Sequence, residues 1–490
     1  MVSFSYLDIF IIVIFFIILI SIGFISSFRS SQNNSEEYLL SGRNVGLVLF
    51  ILNNVAAWYG GILGVGEFSY RFGLVSWFTQ GFPYYIFAFI FALTFAEKIR
   101  SAKLYTIPDK LEIVYGKNVS LISAVLVFIL VSPAPYLLMM AQIVALIFNI
   151  NFFLALIISA ALVSIYMFKG GFKSNIWVDA FSFIIMFLGF IIIVIVAANS
   201  YGGLYFLENN LPKQHLTLTG GNSYTFIFVW FLIALWTFTD PGFHQRCYAA
   251  KSGKIAKYGI LFSILFWIFF DFLTNTTGLY AKAILPNLTN PVLTFPYLAD
   301  KILNSGLKGI FFAAMIATVL STLNSFIFLS ATTFSIDFIQ RIQKYSSISD
   351  FKYLSKIKFL RYFLIKNELD DSKSLILLTQ FGIFFTVIFS IILAYYFKSV
   401  VELWYLIGSI CIPGLILIVI SAYYQNLKTA KIYALIEIIF GVFSSFVWIF
   451  IRNLFEGTFL YEIEPMIVGL IISLVIHIWG IKKARLESLA

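Results

Sequence analysis

The stretch Ser305–Asp337, SGLKGIFFAAMIATVLSTLNSFIFLSATTFSID, decides how the chain is read. It is long and apolar enough to cross a bilayer, which takes about 20 residues. Its middle nevertheless carries Thr318, Ser321, Thr322 and Ser325, whose spacing puts all four hydroxyls on one helical face. A hydroxyl in hydrocarbon needs a partner: an i−4 carbonyl, a neighbouring helix, water or an ion. Two readings fit this face. Small polar residues let helices pack closely, which is the simpler explanation for one helix taken alone. The other is an oxygen-lined cation site, because hard monovalent cations take neutral or anionic oxygen rather than sulfur or imidazole.

The rest of the chain sets the context. Its 490 residues are 61% hydrophobic and 11% charged, with a mean hydropathy of +0.95. A soluble domain cannot hide that much apolar surface, and the long unbroken apolar runs predict helices rather than a barrel. The expected fold class is therefore an all-α polytopic membrane protein. Two cysteines, Cys247 and Cys411, and three dispersed histidines give no disulfide framework and no metal-ligand spacing.

Thirteen spans are predicted. They begin with Leu7–Ser27, read as a retained span because no basic residue precedes it. The second, Gly46–Tyr70, is interrupted by Asn53, Asn54, Gly60, Gly61, Gly64 and Gly66. Such interruptions mark either a discontinuous helix beside a binding site or a tightly packed glycine-rich crossing. The others are Ser76–Ala96, Ser120–Phe148, Phe152–Phe168, Ile176–Ala198, Tyr224–Asp240, Tyr258–Leu279, the opening stretch, Ser374–Tyr396, Val401–Tyr423, Ile432–Ile451 and Met466–Ile481. With the N-terminus outside, 26 of the 33 basic residues fall in cytoplasmic loops and seven outside. That asymmetry supports the count and the orientation, puts the C-terminus in the cytoplasm, and accounts for the net charge of +10 without nucleic acid. The chain shows no soluble domain and no phosphate-binding GxxxxGK sequence, which disfavours an ATP-driven pump.

Six segments, in order, resemble the sodium:solute symporter family, the group of bacterial proline and pantothenate carriers and animal glucose and iodide carriers. They are YLLSGR (Tyr38–Arg43), AAWYGGILGVGEFSYRFG (Ala56–Gly73), TIPD (Thr106–Asp109), GGFKSNIWVD (Gly170–Asp179), DPGFHQRCYAAK (Asp240–Lys251) and AAMIATVLSTLNS (Ala313–Ser325). The resemblance covers about the first 340 residues. It implies two inverted five-helix repeats (LeuT-like), with broken first helices and peripheral helices at both ends. The implied division is residues 1–45, an N-terminal helix and linker; 46–198, the first repeat; 199–424, the second; and 425–490, C-terminal helices.

The resemblance also implies a sodium ion held between the broken second span and the ninth. Ser321 and Thr322 match its hydroxyl ligands, Thr318 a carbonyl ligand, and Asn54 and Ala57 carbonyl ligands on the broken helix. Asp179 matches an aspartate near the sodium exit route. Its place in the first turn of span six equally suits an interfacial residue favoured near a helix N-terminus. The solute would lie between spans two, three, seven and eleven, against Ala56, Trp58, Gln80, Trp236 and Thr237. Span two lacks the side-chain donors that match in sugar carriers, which speaks against a sugar.

Asp271, at mid-depth of span eight, has no match in the family motif. An ionisable residue there reads as a proton site, a second cation site or a structural hub, and we favour the hub, with Thr274 and Asn275 as its helical neighbours. Glu437 is a similar case on a peripheral span. The expected function is sodium-coupled import of a small organic solute by alternating access in a plasma or inner membrane. Alternatives are a proton-coupled carrier using Asp271 or Asp179, and a membrane transferase using Asp240 and His244. The oligomeric state and the solute are not specified by the sequence.

Overall fold

The computed structural model describes residues 2–28, 34–345, 371–397 and 400–489. Much of the basic loop expected between spans nine and ten, residues 346–370, lies outside them. Each predicted apolar segment is helical, and the helices form α1 (Tyr6–Phe28), α2 (Leu47–Ala56), α3 (Ile62–Phe72), α4 (Phe82–Thr94), α5 (Lys117–Leu130), α6 (Ala134–Phe148), α7 (Phe152–Tyr201), α8 (Tyr224–Ile233), α9 (Pro241–Ala249), α10 (Gly253–Ile284), α11 (Leu307–Thr332), α12 (Asp371–Tyr396), α13 (Val400–Ala422), α14 (Lys431–Ile451) and α15 (Pro465–Leu489).

Among the described residues, nine helices are long and apolar enough to cross a membrane, or ten if the bent pair Val75–Thr94 and Ala96–Ala102 is one crossing. A thirteen-span reading needs α7 to count twice and the short helices Leu47–Ala56 and Leu406–Ala422 to belong to one crossing each. A straight helix of the length of α7 would run about 75 Å, more than twice the hydrocarbon thickness. Gly171 breaks it with φ 56° and ψ −144°. A Cβ at Gly171 would lie 2.4 Å from the Tyr38 carbonyl oxygen, so both its conformation and its neighbour demand glycine. The short loop, KGGFKSN, expected between the predicted spans ending at Phe168 and starting at Ile176 is thus reduced to one residue.

Breaks in other spans follow from their sequence. The second span unwinds between α2 and α3 at Ala57–Gly61. The SPAP motif separates α5 from α6, and Ser330 donates to the freed Val131 carbonyl at 2.8 Å. In the seventh span, α8 passes through a 3-10 turn, Ala234–Phe238, before Asp240 caps α9 by accepting from the Phe243 N–H at 2.9 Å.

The central helix is α11, buried along nearly its whole length and packed most extensively against α7. Its N-terminus is held by the first helix: the Asp8 carboxylate accepts from the N–H groups of Gly306 and Gly309 at 2.8 and 2.9 Å. At the opposite end of the helices, YLLSGR acts as a clasp. Tyr38 donates to the Phe168 carbonyl, while Arg43 pairs with Glu36 and donates to the carbonyls of Lys103, Leu104 and Tyr248. TIPD forms a capping box between Thr106 and Asp109. Arg341, just beyond α11, meets Asp109, Asp337 and Glu112 at 2.7, 3.0 and 3.0 Å. Glu437 on α14 pairs with His477 on α15 at 2.7 Å, which ties the last two helices together.

Candidate functional site

Two loci meet at the α2–α3 break. At the first, unwinding exposes carbonyls that a continuous helix would bond internally. Thr322 donates to the Ala57 carbonyl at 3.0 Å and Ser321 to the Ala56 carbonyl at 2.7 Å. Ser321 also lies 3.1 Å from the Thr318 carbonyl, while the Thr318 hydroxyl bonds back to Ala314. Gly60 allows the approach: a Cβ there would sit 2.3 Å from Thr322 Cβ. The oxygens converging here are carbonyls of Ala56, Ala57 and Thr318 and hydroxyls of Ser321 and Thr322, a donor set suited to a hard monovalent cation. The hydroxyls face the Ala56 and Ala57 carbonyls. Asn54, expected to contribute through its backbone carbonyl, lies one turn back in α2, and both of its side-chain polar atoms are buried without a partner among the described residues.

Behind this locus runs a buried polar chain that sequence reasoning did not assemble. Asn53 donates to Asp179 Oδ2 at 2.5 Å, and Arg246 Nε donates to Asn53 Oδ1 at 2.7 Å. Ser325 receives Asn175 Nδ2 at 3.0 Å and lies 3.5 Å from Arg246. Asp179 is fully buried, and its Oδ1 has no partner. The interfacial alternative for Asp179 is therefore corrected: helical structure resumes directly after Gly171, so Asp179 sits in the interior rather than in a first turn. A sequence signal existed only in the polarity of Asn53 within an otherwise apolar segment.

The second locus is a cavity of about 190 Å³. Trp58, Gln80 and Trp236, three of the five residues expected at the solute, line it, as does Ala57. Ala56 and Thr237 do not line it. The Ala56 carbonyl faces Ser321, and Thr237 is fully buried with its hydroxyl on the Ala234 carbonyl. Tyr84, Tyr136, Trp404, Asp240, Arg246, Asp271 and Asn275 complete much of the wall, and sequence reasoning had placed none of them there. Trp236 donates its indole N–H to Asp240 Oδ2 at 3.2 Å. His244 is buried with Nε2 against the Phe238 carbonyl at 3.0 Å, so Asp240 and His244 make separate backbone bonds and do not face each other as a catalytic pair.

The partners of Asp271 are not the expected ones. Thr274 and Asn275 bond its backbone carbonyl, at 3.2 and 2.8 Å, and not its carboxylate. The carboxylate accepts from the Tyr85 hydroxyl, has the Tyr59 hydroxyl beside it, and lines the cavity.

Comparison with known proteins identifies the family and the fold. Residues 38–398 match the family described as "Sodium:solute symporter family". The chain is 22% identical over 408 residues to sodium/myo-inositol cotransporter 2 of Bos taurus, covering 73% of this chain and 60% of that one. It is 25% identical over 390 residues to a sodium/glucose cotransporter of Vibrio parahaemolyticus, covering 68% of each. Over 193 residues, 38% of this chain and 40% of the other, it is 28% identical to the sodium/pantothenate symporter of Haemophilus influenzae. The chain spans about 60% of the length of the animal inositol and glucose cotransporters it matches. Among solved structures, a Na+-coupled sialic acid symporter in a substrate-bound outward-open state superposes with a TM-score of 0.79 at 14% identity, covering 99% of this chain and 98% of the other. A nucleobase-cation-symport-1 family transporter in a closed conformation gives a TM-score of 0.56 at 13% identity, covering 92% and 96%.

Proposed function

The chain belongs to the sodium:solute symporter family, and from that premise we propose that it is a sodium-coupled symporter that imports a small organic solute by alternating access. The observation that carries the reading is the pairing of Ser321 and Thr322 with the Ala56 and Ala57 carbonyls, across the broken helix and α11. Sodium at this junction would take the carbonyl oxygens now engaged by the two hydroxyls, with the hydroxyl oxygens as further ligands. It would bridge α11 to the α2–α3 break and favour the form in which the cavity accepts solute from outside. By reciprocity, bound solute then tightens sodium. Asp179 lies behind the junction and would draw the departing ion along the polar chain. The solute would occupy the cavity between Trp58, Gln80 and Trp236.

The driving force is adequate. One charge crossing 100 mV contributes about 2.3 kcal/mol, and a tenfold sodium gradient about 1.4 kcal/mol. Their sum, about 3.7 kcal/mol, holds a neutral solute several-hundred-fold concentrated inside. Placement in a plasma or inner membrane, with thirteen spans, two inverted repeats over 46–198 and 199–424, an outside N-terminus and a cytoplasmic C-terminus, belongs to the same reading and rests on the charge asymmetry of the loops.

The test is the thermal transition of the purified protein titrated with sodium chloride and, separately, potassium chloride at equal ionic strength. A ligand of the native state raises the transition by mass action. A saturable rise in sodium alone is expected. Superimposable curves in the two salts would overturn the reading.

A further inference from the structure

Asp271 is buried, lines the cavity, and makes no ion pair among the described residues. The fold makes room for it deliberately. Gly81, where Val75–Gln80 gives way to α4, has no side chain, and a Cβ there would lie 2.6 Å from Asp271 Oδ2. The one basic side chain among the described residues of the wall is already committed: Arg246 interacts with the carboxylates of Asp240 and Asp179 and donates to Asn53. The wall is thus left with an excess of negative charge.

An uncompensated carboxylate in a low-dielectric site costs several kcal/mol, on the order of the penalty for a buried unpaired ion. A neutral solute cannot offset that, and an anionic one makes it worse. The remaining wall is aromatic, with Trp58, Tyr84, Tyr136 and Trp236 facing the cavity, and aromatic faces attract cations. One turn along α10, Asn275 also lines the cavity, 6% exposed, and its Oδ1 is buried with no partner. A second free acceptor beside the carboxylate calls for a solute that donates hydrogen bonds as well as carrying positive charge, which a quaternary ammonium group does not.

Resting on the symport reading above, we propose that the cavity takes a solute bearing a protonated amine, with the Asp271 carboxylate as its counter-charge, Asn275 Oδ1 as a second acceptor and the aromatic wall around its apolar body. The amine donates to Asp271 and Asn275 while Tyr85 keeps its hydrogen bond to the carboxylate.

The experiment uses the full-length protein in sodium chloride at neutral pH. Thermal stabilisation is compared for phenethylamine, ethanolamine and putrescine, each against its alcohol counterpart: 2-phenylethanol, ethylene glycol and 1,4-butanediol. At least one amine should half-saturate at a concentration tenfold or more below its alcohol, and Asp271→Asn should remove that preference. If no amine exceeds its alcohol while sodium still stabilises, the charge assignment fails and the symport reading stands. Loss of the sodium effect itself would instead strike the symport reading. An Asp271→Asn protein that keeps the amine preference but loses part of its sodium response would assign the carboxylate to a second sodium ion and overturn the proposal. Should Asp271→Asn not fold, the wild-type comparison stands alone, and Asp271→Glu, which keeps the charge but moves it, should change the preferred amine.

Discussion

Thr322 donates to the Ala57 carbonyl at 3.0 Å across 265 residues of sequence, and this bond joins the unwound part of the second span to the most buried of the long apolar helices among the described residues. If the junction holds sodium, Thr322→Ala removes one oxygen ligand and leaves the Ala57 carbonyl unpaired. Loss of one such interaction is worth about 1–1.5 kcal/mol, or roughly tenfold in affinity. The sodium concentration that half-saturates the thermal shift should rise about tenfold in Thr322→Ala. Thr322→Ser keeps the oxygen and should retain near-normal sodium affinity.

The same junction is set by spacing as well as chemistry. A Cβ at Gly60 would sit 2.3 Å from Thr322 Cβ, too close for any side chain without moving one helix. Gly60→Ala should cost about 1–3 kcal/mol by overpacking. Because it pushes the carbonyls away from α11 while leaving every proposed ligand in place, its sodium response should be lost even at saturating salt. A normal response would mean that the two helices tolerate separation and that the ligands lie elsewhere.

Local pattern and distant pairing differ in how far the sequence revealed them. The hydroxyl face of α11 and the glycine-interrupted second span were legible because each is a local pattern: a helical period and a run of helix breakers. The polar chain behind them was not. Asn53, Asp179, Arg246 and Ser325 come from four separate segments, and no periodicity links them. Asp271 misled for a related reason. Its helical neighbours were the visible candidates for solvating it, whereas its carboxylate turns to Tyr85, which lies 186 residues away. Asp179 was misplaced near a helix start because KGGFKSN reads as a loop. Gly171 alone makes that turn, so α7 runs on past it. Tyr38, Arg43, Thr106 and Asp109 stood out as family motif residues, yet their work is to clasp and cap helix ends.

At that same end, Arg341 is 4% exposed and serves three carboxylates at once, Asp109, Glu112 and Asp337. Asp337 is fully buried and also accepts from Thr106 at 2.8 Å. Removing the guanidinium leaves like charges facing each other out of water, which typically costs about 3–5 kcal/mol. Arg341→Ala should lower the thermal transition accordingly, and Arg341→Lys should recover only part, since one ammonium cannot span three acceptors. Adding Asp337→Asn to Arg341→Ala should restore some of the loss. Equal damage from the single and double variants would show that Arg341 acts through packing rather than charge.

The loop between α7 and α8 supplies a pH dependence of predictable sign. His215 lies outside the spans, with Nε2 against the Tyr70 carbonyl at 3.0 Å, and its own carbonyl accepts from the Leu74 N–H at 2.9 Å. Burial holds its imidazole below the ordinary histidine pKa. The Tyr70 carbonyl opposes that shift, and the Lys282 charge adds to it. The folded protein therefore binds the His215 proton less readily than the unfolded chain. Stability from this residue is fully present above the unfolded pKa, about 6.5. It is lost as pH falls from there through the lower folded value, because the unfolded state then binds more protons. Between pH 7.5 and 5.5 the thermal transition of the wild type should fall more steeply than that of His215→Gln, which keeps a polar group but cannot titrate. Parallel pH profiles for the two proteins would show that the loop's grip on the end of α3 comes from its backbone bonds alone.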